Sequence, residues 1–531
     1  MPGDPVAVDQ RSLSGWAVHL GTDVAALNPA LLRAELSAGT LPQAFAAVAA
    51  RVPDSPALRI GEEFTHGQLD DGAGRVATAL AEQGVHPGDR VVLSAPTSGE
   101  FVLAYLGVLR CGAVAVPVNA SYTETELDHV VRAAEASFVL TAAVGETGAP
   151  TARLSARTAT VADLIHRAGD LASSPAAAGQ GDDVALLGFT SGTTGFPKGV
   201  PLTHGNLLSS IRGVMRAWRW SPDDVLVHAL PLSHQHGLGG LHATLLAGSR
   251  AHILPKFDPD QLLDVLTEHR ATVLFAVPAV YQRLAALGSE RLTVLRQLRL
   301  ATSGSAPLPP ALGKQIAGAA GAVPLERYGL TETGLDLSNP LDGPRRLGTV
   351  GVPLPGVEVR IADDHGRPVP AGIDGEILMR GPQVIEAYWR DEAATAASFW
   401  PDGWFRTGDL GHWDDEQGGH LMISGRLKEL IITGGMNVSP REVELVLEAH
   451  PAVAEAAVAG TASETWGEEV EAWVVLRGAQ AGPDELLKHC RTRLVAYKCP
   501  KRVHVVEALP RNAMGKVVRA ELRPPETGPR E

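Results

Sequence analysis

Residues 190–199, Thr-Ser-Gly-Thr-Thr-Gly-Phe-Pro-Lys-Gly, place three glycines, four hydroxyl side chains and one lysine in one short stretch. A glycine-rich turn between a strand and a helix exposes backbone N–H groups that can wrap a phosphate, and Lys198 adds a positive charge. The stretch is not the common P-loop, because Gly-Lys-[Ser/Thr] is missing. A flexible surface loop is the simpler interpretation, but such loops rarely end in Pro-Lys-Gly. We therefore predict a polyphosphate cradle.

Further polar groups follow predicted strands, where ligands of α/β sheets bind. The turn Ser303-Gly304-Ser305-Ala306 comes directly after the strand at residues 298–302. Tyr328 offers an aromatic plate for adenine, and Thr331 and Glu332 can face phosphate and Mg²⁺, which prefers oxygen ligands. Asp409 follows a Thr-Gly turn and suits ribose hydroxyls, although an exposed turn aspartate is the alternative. Together these groups predict a nucleotide site.

Other reactive side chains are less specific. His234 and His236 lack a neighbouring carboxylate or cysteine, so a metal site there is not favoured. Arg283 lies on the helix that follows the buried strand at residues 272–277. At that depth it would need an anionic partner, such as a distal substrate carboxylate. A structural ion pair and a snorkelling surface arginine are equally good explanations of Arg283.

The elements that must position these residues alternate between strands and helices, which predicts parallel sheets covered on both faces. We predict an α/β fold with two such subdomains and a small β-barrel over residues 41–425. Residues 1–40 are assigned to a peripheral extension. The composition changes after residue 425, and the pattern of residues 426–531 predicts a small, mobile α+β lid domain.

Composition narrows the function. The chain has 531 residues, 45% hydrophobic residues and a formal net charge of −14, which disfavours non-specific nucleic-acid binding. The three cysteines have no metal-binding spacing, and we see neither a membrane span nor a secretory signal. These features predict a cytoplasmic enzyme with no nucleic-acid or membrane partner.

The phosphate stretch resembles the corresponding loop of the adenylate-forming superfamily, which includes acyl-CoA synthetases. The resemblance runs from about residue 41 to 520, since further motifs occur in the family order. They are Tyr328-Gly329-Leu330-Thr331-Glu332, Arg406-Thr407-Gly408-Asp409, Gly425-Arg426 and Gly515-Lys516. The resemblance implies that a carboxylic acid and ATP form acyl-AMP, and that CoA then displaces AMP.

The resemblance also implies individual roles. Lys516 would bridge the carboxylate and the α-phosphate in the first step, and Lys428 would be the hinge of the lid. The residues implied in catalysis are Lys516, Glu332, Thr331, Lys428 and His234. Those implied in ATP or AMP binding are Thr190, Ser191, Gly192, Thr193, Thr194, Gly195, Lys198, Ser303, Gly304, Ser305, Ala306, Glu326, Arg327, Tyr328, Gly329, Asp409 and Arg426. Mg²⁺ would be held by Thr194 and Glu332, CoA by Gly434 and Gly435, and the acid by His234, Arg283, Ser303, Gly329 and Leu335.

Within the superfamily, the chain is most similar to malonyl-CoA synthetases, which implies malonate or a similar short diacid as the substrate. Residues 334–337, Gly-Leu-Asp-Leu, depart from the pattern of those enzymes beside the acyl pocket, and Ser233 replaces an aromatic residue. A larger apolar or aromatic acid is therefore an alternative substrate. Two further interpretations are an adenylating ligase that transfers the acyl group to a carrier protein or an amine, and a degenerate nucleotide-binding scaffold without catalysis.

Overall fold

The computed structural model describes residues 8–142, 154–190, 198–343, 345–416, 418–463, 465–478, 481–511 and 516–523. Within these ranges, no helix is both long and apolar enough to cross a membrane. The helices are α1 (Gln10–Leu20), α2 (Pro29–Ser37), α3 (Leu41–Ala49), α4 (His66–Glu82), α5 (Gly99–Arg110), α6 (Glu124–Ala133), α7 (Val161–Ala168), α8 (His204–Ala217), α9 (Gln235–Ala247), α10 (Pro259–Glu268), α11 (Pro278–Ala285), α12 (Pro310–Ala320), α13 (Glu392–Ala397), α14 (Pro440–Glu448) and α15 (Pro483–Arg491).

The strands form four sheets. They are β1 (Pro56–Ile60), β2 (Glu62–Thr65), β3 (Arg90–Ser94), β4 (Val114–Pro117), β5 (Phe138–Thr141), β6 (Arg157–Thr160), β7 (Val184–Thr190), β8 (Lys198–Thr203), β9 (Val225–His228), β10 (Arg250–Ile253), β11 (Val273–Ala276), β12 (Leu300–Ser303), β13 (Leu325–Tyr328), β14 (Leu337–Ser338), β15 (Val352–Pro353), β16 (Glu358–Ala362), β17 (Gly375–Arg380), β18 (Phe405–Asp414), β19 (His420–Arg426), β20 (Ile431–Thr433), β21 (Met436–Val438), β22 (Val453–Ser463), β23 (Gly467–Leu476) and β24 (Arg502–Val505).

The two largest sheets are mainly parallel. One has the strand order β15-β14-β13-β12-β11-β9-β10-β1-β2, and the other has the order β6-β5-β3-β4-β7-β8. Their inner strands are largely buried; every residue of β11, for example, is buried, as expected for strands covered on both faces. The prediction of two parallel α/β subdomains is confirmed.

The third sheet is antiparallel, with the order β16-β17-β18-β19. Among the described residues, β16 and β19 do not pair with each other, so the sheet is open and the predicted small β-barrel is wrong. Strands β18 and β19 bring Asp409 opposite Arg426. This pairing places two predicted nucleotide ligands side by side on rigid backbone.

Residues 8–40 are part of the main body, which corrects the prediction of a peripheral extension. Trp16 of α1 is fully buried, and its indole N–H donates to the carbonyl of Val357 at 2.7 Å. Arg33 of α2 forms an ion pair with buried Glu358 at 2.6 Å. The sequence of this segment suggests an extension because it lacks a regular apolar pattern, whereas Trp16 and Leu36 are fully buried against the rest of the chain.

The C-terminal region forms a sheet of its own, with the order β21-β20-β23-β22 and β24 paired to β23. Helices α14 and α15 cover it through buried residues such as Val443, Leu447 and Leu486. This small α+β unit confirms the predicted fold class of the C-terminal region. A turn of 3₁₀ helix at Leu427–Glu429 connects it to β19.

Candidate active site

The carboxyl ends of three neighbouring strands meet at one edge of the large sheet. Ala276 of β11 pairs with Ser303 of β12, and Ser303 in turn pairs with Glu326 of β13. The turn after β12 therefore lies beside the turn after β13, as the sequence predicts. Glu326 is buried there, and its two oxygens accept the backbone N–H groups of Leu308 and Gly348. The structure thus shows Glu326 bracing two loops.

Tyr328, Asp409 and Arg426, which lie on two different sheets, contact one another near the position predicted for the ribose, and we call these three side chains the ribose group. The Tyr328 hydroxyl donates to Asp409 Oδ2 at 2.6 Å, and Arg426 Nε lies 2.7 Å from Asp409 Oδ1. The Asp409 side chain is almost completely buried. Burial first, and then the charge of Asp409, hold the pKa of Tyr328 well above its usual value, so the phenol stays a donor. A carboxylate fixed by two donors is pre-oriented for a ligand.

The phosphate end of the site is described only at its borders. Ser191, Gly192, Thr193, Thr194 and Gly195 lie outside the described residues, whereas Thr190 and Lys198 are paired across β7 and β8.

Lys198 Nζ lies 5.0 Å from the centre of the Tyr388 ring. The Tyr388 hydroxyl donates to Glu332 Oε1 at 2.9 Å. The carbonyl of Thr331 accepts a hydrogen bond from the Gln235 amide at 2.9 Å. Sequence reasoning misses Tyr388 and Gln235, because no sequence spacing links either residue to the Thr331–Glu332 turn.

The candidate acyl side contains two histidines at the start of α9, partly buried His234 and buried His236. His234 Nδ1 accepts the backbone N–H of His236, and the His236 ring lies 3.3 Å from the Ser305 hydroxyl. Burial first, and then the charge of Arg327, lower the pKa of His234 to about 4 and that of His236 well below its usual value. Both rings are therefore neutral near pH 7 and can donate hydrogen bonds without adding charge.

Arg327 is the unusual group at this site. Only 8% of the residue is exposed, and Nη2 has no hydrogen-bond partner within the described part of the chain. Burial lowers its pKa to about 9, so it is still a cation at neutral pH. Gly304 makes room for the side chain, because a Cβ at that position would lie 2.5 Å from the guanidinium carbon. A buried, incompletely paired cation is costly and is typical of a site for an anionic ligand.

Several neighbouring donors are also unsatisfied. Over the described ranges, the Ser303 hydroxyl, the Thr302 hydroxyl and His236 Nε2 are buried and have no partner. Buried polar groups are normally hydrogen-bonded, so each exception requires an explanation. Thr302 and Ser303 are consecutive residues of β12, so their hydroxyls face opposite sides of the sheet, and each is a separate candidate contact for a ligand.

The structure contradicts the predicted depth of Arg283. Tyr281 and Leu284 are the buried residues of α11, and the Tyr281 hydroxyl donates to the carbonyl of Thr302. Arg283 therefore points outward, is exposed, and lies with its guanidinium carbon 4.6 Å from the centre of the Phe257 ring. The argument from an unpaired buried charge thus applies to Arg327 and not to Arg283, whose contact with the acid stays a prediction.

The backbone at Gly329 packs closely against the backbone of Gly334 and Leu335. A Cβ at Gly329 would lie 2.0 Å from the carbonyl oxygen of Gly334, so only glycine fits there. The N–H of Leu335 donates to the Ser210 hydroxyl at 3.0 Å. Residues 334–337, which differ from the malonyl-CoA synthetase pattern, are held by this packing against the turn after β13.

The C-terminal unit brings Lys516 within electrostatic range of Asp409 and Arg426. Burial first and Arg426 second lower the pKa of Lys516 to about 8, while Glu429 and Asp409 act in the opposite direction. Glu455 of the same unit bonds both Gln282 of α11 and Arg511. Lys428 is exposed in the connecting 3₁₀ turn, and Gly434 and Gly435 form the exposed turn between β20 and β21.

Comparison with known proteins agrees with this geometry. The model of the AMP-binding enzyme family matches residues 45–389, and the model of the AMP-binding enzyme C-terminal domain matches residues 442–516. The chain belongs to the AMP-binding enzyme family. The second match ends at Lys516, which lies within electrostatic range of Asp409 and Arg426.

Individual members of the AMP-binding enzyme family match over most of their length. An oxalate–CoA ligase of Arabidopsis thaliana is 37% identical over 502 residues, which cover 89% of this chain and 96% of that protein. A feruloyl-CoA synthase of an Amycolatopsis species is 36% identical over 477 residues, covering 89% and 96%. The ATP-bound structure of MatB from Rhodopseudomonas palustris superposes with a TM-score of 0.83 at 39% identity, covering 90% and 97%. The chain is an AMP-forming acid–CoA ligase whose substrates are a carboxylic acid, ATP and CoA.

Proposed function

We propose that this AMP-binding enzyme activates a short dicarboxylic acid, such as malonate, and transfers it to CoA. The observation that carries the proposal is the buried Arg327 guanidinium, with Nη2 unpaired among the described residues. A distal carboxylate would neutralise this cation and accept hydrogen bonds that the protein leaves unmade. The similarity to an oxalate–CoA ligase supports the same class of acid.

In the first step, an oxygen of the other carboxylate forms a bond to the α-phosphorus while the bond to pyrophosphate breaks. Negative charge spreads over the α-phosphate oxygens, and Lys516 is the cation that we assign to it. Arg327 holds the far end of the acid so that the reacting carboxylate meets ATP in one orientation. In the second step, the CoA sulfur displaces AMP from the acyl carbon, and the thiol loses its proton.

Nucleotide binding is assigned to the groups that the structure brings together. Asp409, fixed by Tyr328 and Arg426, would hold the ribose hydroxyls. Glu332 offers carboxylate oxygen, the ligand that Mg²⁺ prefers, and Tyr388 fixes its orientation, so the residue fits the ion. Bound Mg²⁺ would neutralise charge on the phosphates of ATP.

We infer that the part of the predicted lid (residues 426–531) that follows the hinge at Lys428 rotates between the two steps, whereas Arg426 stays paired with Asp409 in β18 and β19. Lys428 lies in the short turn between the antiparallel sheet and the C-terminal unit, as a hinge would. In the present arrangement Lys516 lies within electrostatic range of Asp409, whereas Gly434 and Gly435 are exposed. Rotation would exchange these two faces and bring the glycine turn to the CoA thiol.

Replacing Lys428 by proline is expected to lower thioester formation by about 10²-fold, because a misplaced proline costs about 3 kcal/mol. Proline fixes φ at position 428 and disfavours the helical region for Leu427, so the hinge can no longer adopt the backbone conformations that rotation requires. Adenylation is expected to survive in part. Lys428→Ala is the control and should retain both steps, each measured separately with ATP or with supplied acyl-AMP. Normal thioester formation by the proline variant would refute a rotation about this position.

An aromatic acid is the second candidate, because a feruloyl-CoA synthase is also similar to this chain. Ser233, in place of an aromatic residue, would widen or hydrate the pocket, and residues 334–337 depart from the malonyl-CoA synthetase pattern beside it. A carrier protein in place of CoA, and a cytoplasmic location, stay predictions.

The test is a panel of acids with ATP and CoA, in which AMP and the acyl-CoA product are both measured. Oxalate, malonate and methylmalonate are expected to have a higher kcat/KM than acetate, propionate and ferulate. Acetate and propionate test whether the second carboxylate is required, and ferulate tests the wider pocket. A preference for ferulate, or for acetate over malonate, would overturn the diacid assignment and leave the ligase activity intact.

A further inference from the structure

Arg519 is held by three different acceptors in the C-terminal unit. Nη1 lies 2.6 Å from Glu429 Oε2, Nη2 lies 2.7 Å from Glu444 Oε1, and Nε donates to the carbonyl of Val458 at 3.1 Å. About a quarter of the side chain is exposed, whereas Glu444 is buried. A guanidinium engaged through all its nitrogens in this way has one fixed orientation.

The chain around Arg519 connects this ion pair to Lys516. Arg519 begins a single 3₁₀ turn, Arg519–Glu521, three residues after the lysine. The intervening Val518 N–H donates to the carbonyl of Pro510, and Val517 bridges to Arg511. The backbone that carries Lys516 is thus fixed on one side by this bridge and on the other by Arg519.

Glu429 connects the same ion pair to the hinge. It follows Lys428 directly in the 3₁₀ turn Leu427–Glu429, and the turn begins immediately after Arg426. Arg426 is bonded to Asp409 in the main body. The contacts therefore run without interruption from Asp409 through Arg426 and the hinge turn to Glu429 and Arg519.

We propose that Arg519 is a positioning residue that, through Glu429, sets the placement of the Lys516 ammonium relative to the ribose group in the adenylation step. The proposal rests on the role assigned to Lys516 under the proposed function. It assigns to Arg519 no contact with substrate. Because thioester formation uses the other face of the lid, that step should not depend on this placement.

The charges around Lys516 support the proposal. The groups that act on it are Arg426 and Arg519, which lower its pKa, and Glu429 and Asp409, which raise it; burial is the largest effect and lowers it. Glu429→Gln removes a carboxylate and should lower the lysine pKa further. Arg519→Gln removes a cation and should raise it. Since the lysine must be protonated to stabilise a phosphate, its pKa sets the alkaline limb of adenylation.

The test measures both half-reactions in the full-length chain with malonate. Arg519→Gln is expected to slow adenylation by about 10- to 100-fold, the range that a small misplacement of a catalytic group produces. Thioester formation from supplied malonyl-AMP should stay within about threefold of the wild type, because that step uses the other face of the lid and not the placement of Lys516. Arg519→Lys should restore part of the adenylation rate. Arg523→Ala, an exposed arginine on the same segment, is the matched control and should change neither step.

The pH profile separates positioning from a general loss of structure. The alkaline limb of kcat/KM for adenylation should move to lower pH in Glu429→Gln and to higher pH in Arg519→Gln. Equal loss of both half-reactions, or limbs that do not move in opposite directions, would overturn the proposal. If the wild type adenylates no acid, the proposed function itself fails; normal adenylation by Arg519→Gln would refute only the positioning role.

Discussion

Replacement of Lys516 by alanine is expected to slow acyl-adenylate formation by about 10²–10³-fold, the loss typical of one removed charge-stabilising donor. The ammonium is largely removed from water and acts within range of Asp409 and Arg426, where its charge is poorly screened. Alanine leaves the developing charge on the α-phosphate without this cation. The binding of ATP should weaken much less, because Asp409 keeps its contacts with Tyr328 and Arg426.

The measurement is pyrophosphate release in the absence of CoA, followed by thioester formation from supplied acyl-AMP. The second step should proceed at nearly the wild-type rate. Lys488→Ala provides a matched control, since Lys488 is an exposed lysine on α15 of the same unit. If both half-reactions fall together in Lys516→Ala, the lysine is not specific to the first step.

Replacement of Arg327 by methionine is expected to lower kcat/KM for malonate by about 10³-fold, within the 2–5 kcal/mol that truncating one partner of a buried charge pair costs. Methionine retains much of the volume and removes the charge, so the distal carboxylate would be buried without a counter-ion. Propionate, which has a methyl group in place of that carboxylate, should be used as well as before or better. The ratio of malonate to propionate turnover is therefore the decisive quantity.

Two further variants make this result specific. Arg296→Met removes another arginine, whose Nε donates to the carbonyl of Ala319, and should leave the ratio unchanged. Arg283→Ala tests the exposed arginine on α11 and shows whether substrate binding recruits it. Equal loss of both acids in Arg327→Met would indicate a structural role for Arg327, or the nucleotide-binding role that the family resemblance implies, rather than recognition of a second carboxylate.

The sequence predicts the parts of this enzyme that depend on local pattern. Alternating apolar strands and amphipathic helices predict both parallel sheets, and the turns after β12 and β13 are correctly placed at one edge. The motifs predict Asp409 and Arg426 as two ligands of one nucleotide, although the direct contact between them arises from antiparallel pairing. Such pairing depends on register between strands, which local pattern does not specify.

The arginines show where local pattern is insufficient. Arg283 and Arg327 both follow or lie within buried strands, and the sequence favours Arg283 for the distal carboxylate. Helical periodicity turns Arg283 outward once Tyr281 and Leu284 face the core. Arg327 remains buried because Gly304, on the neighbouring strand end, leaves space for it. That space is a tertiary property, and the same holds for Trp16, whose burial depends on a partner 341 residues away.

Gly304 also bears on how acid preference can change during evolution. A Cβ at this position would lie 2.5 Å from the tip of Arg327, a flexible group that would move before any backbone did. A single codon change from glycine to alanine would therefore displace the guanidinium while the fold and the contacts of Asp409 with Tyr328 and Arg426 persist. Under the role proposed for Arg327, a duplicated gene that carries this one change would lose its preference for a diacid without any change to Asp409, Tyr328 or Arg426.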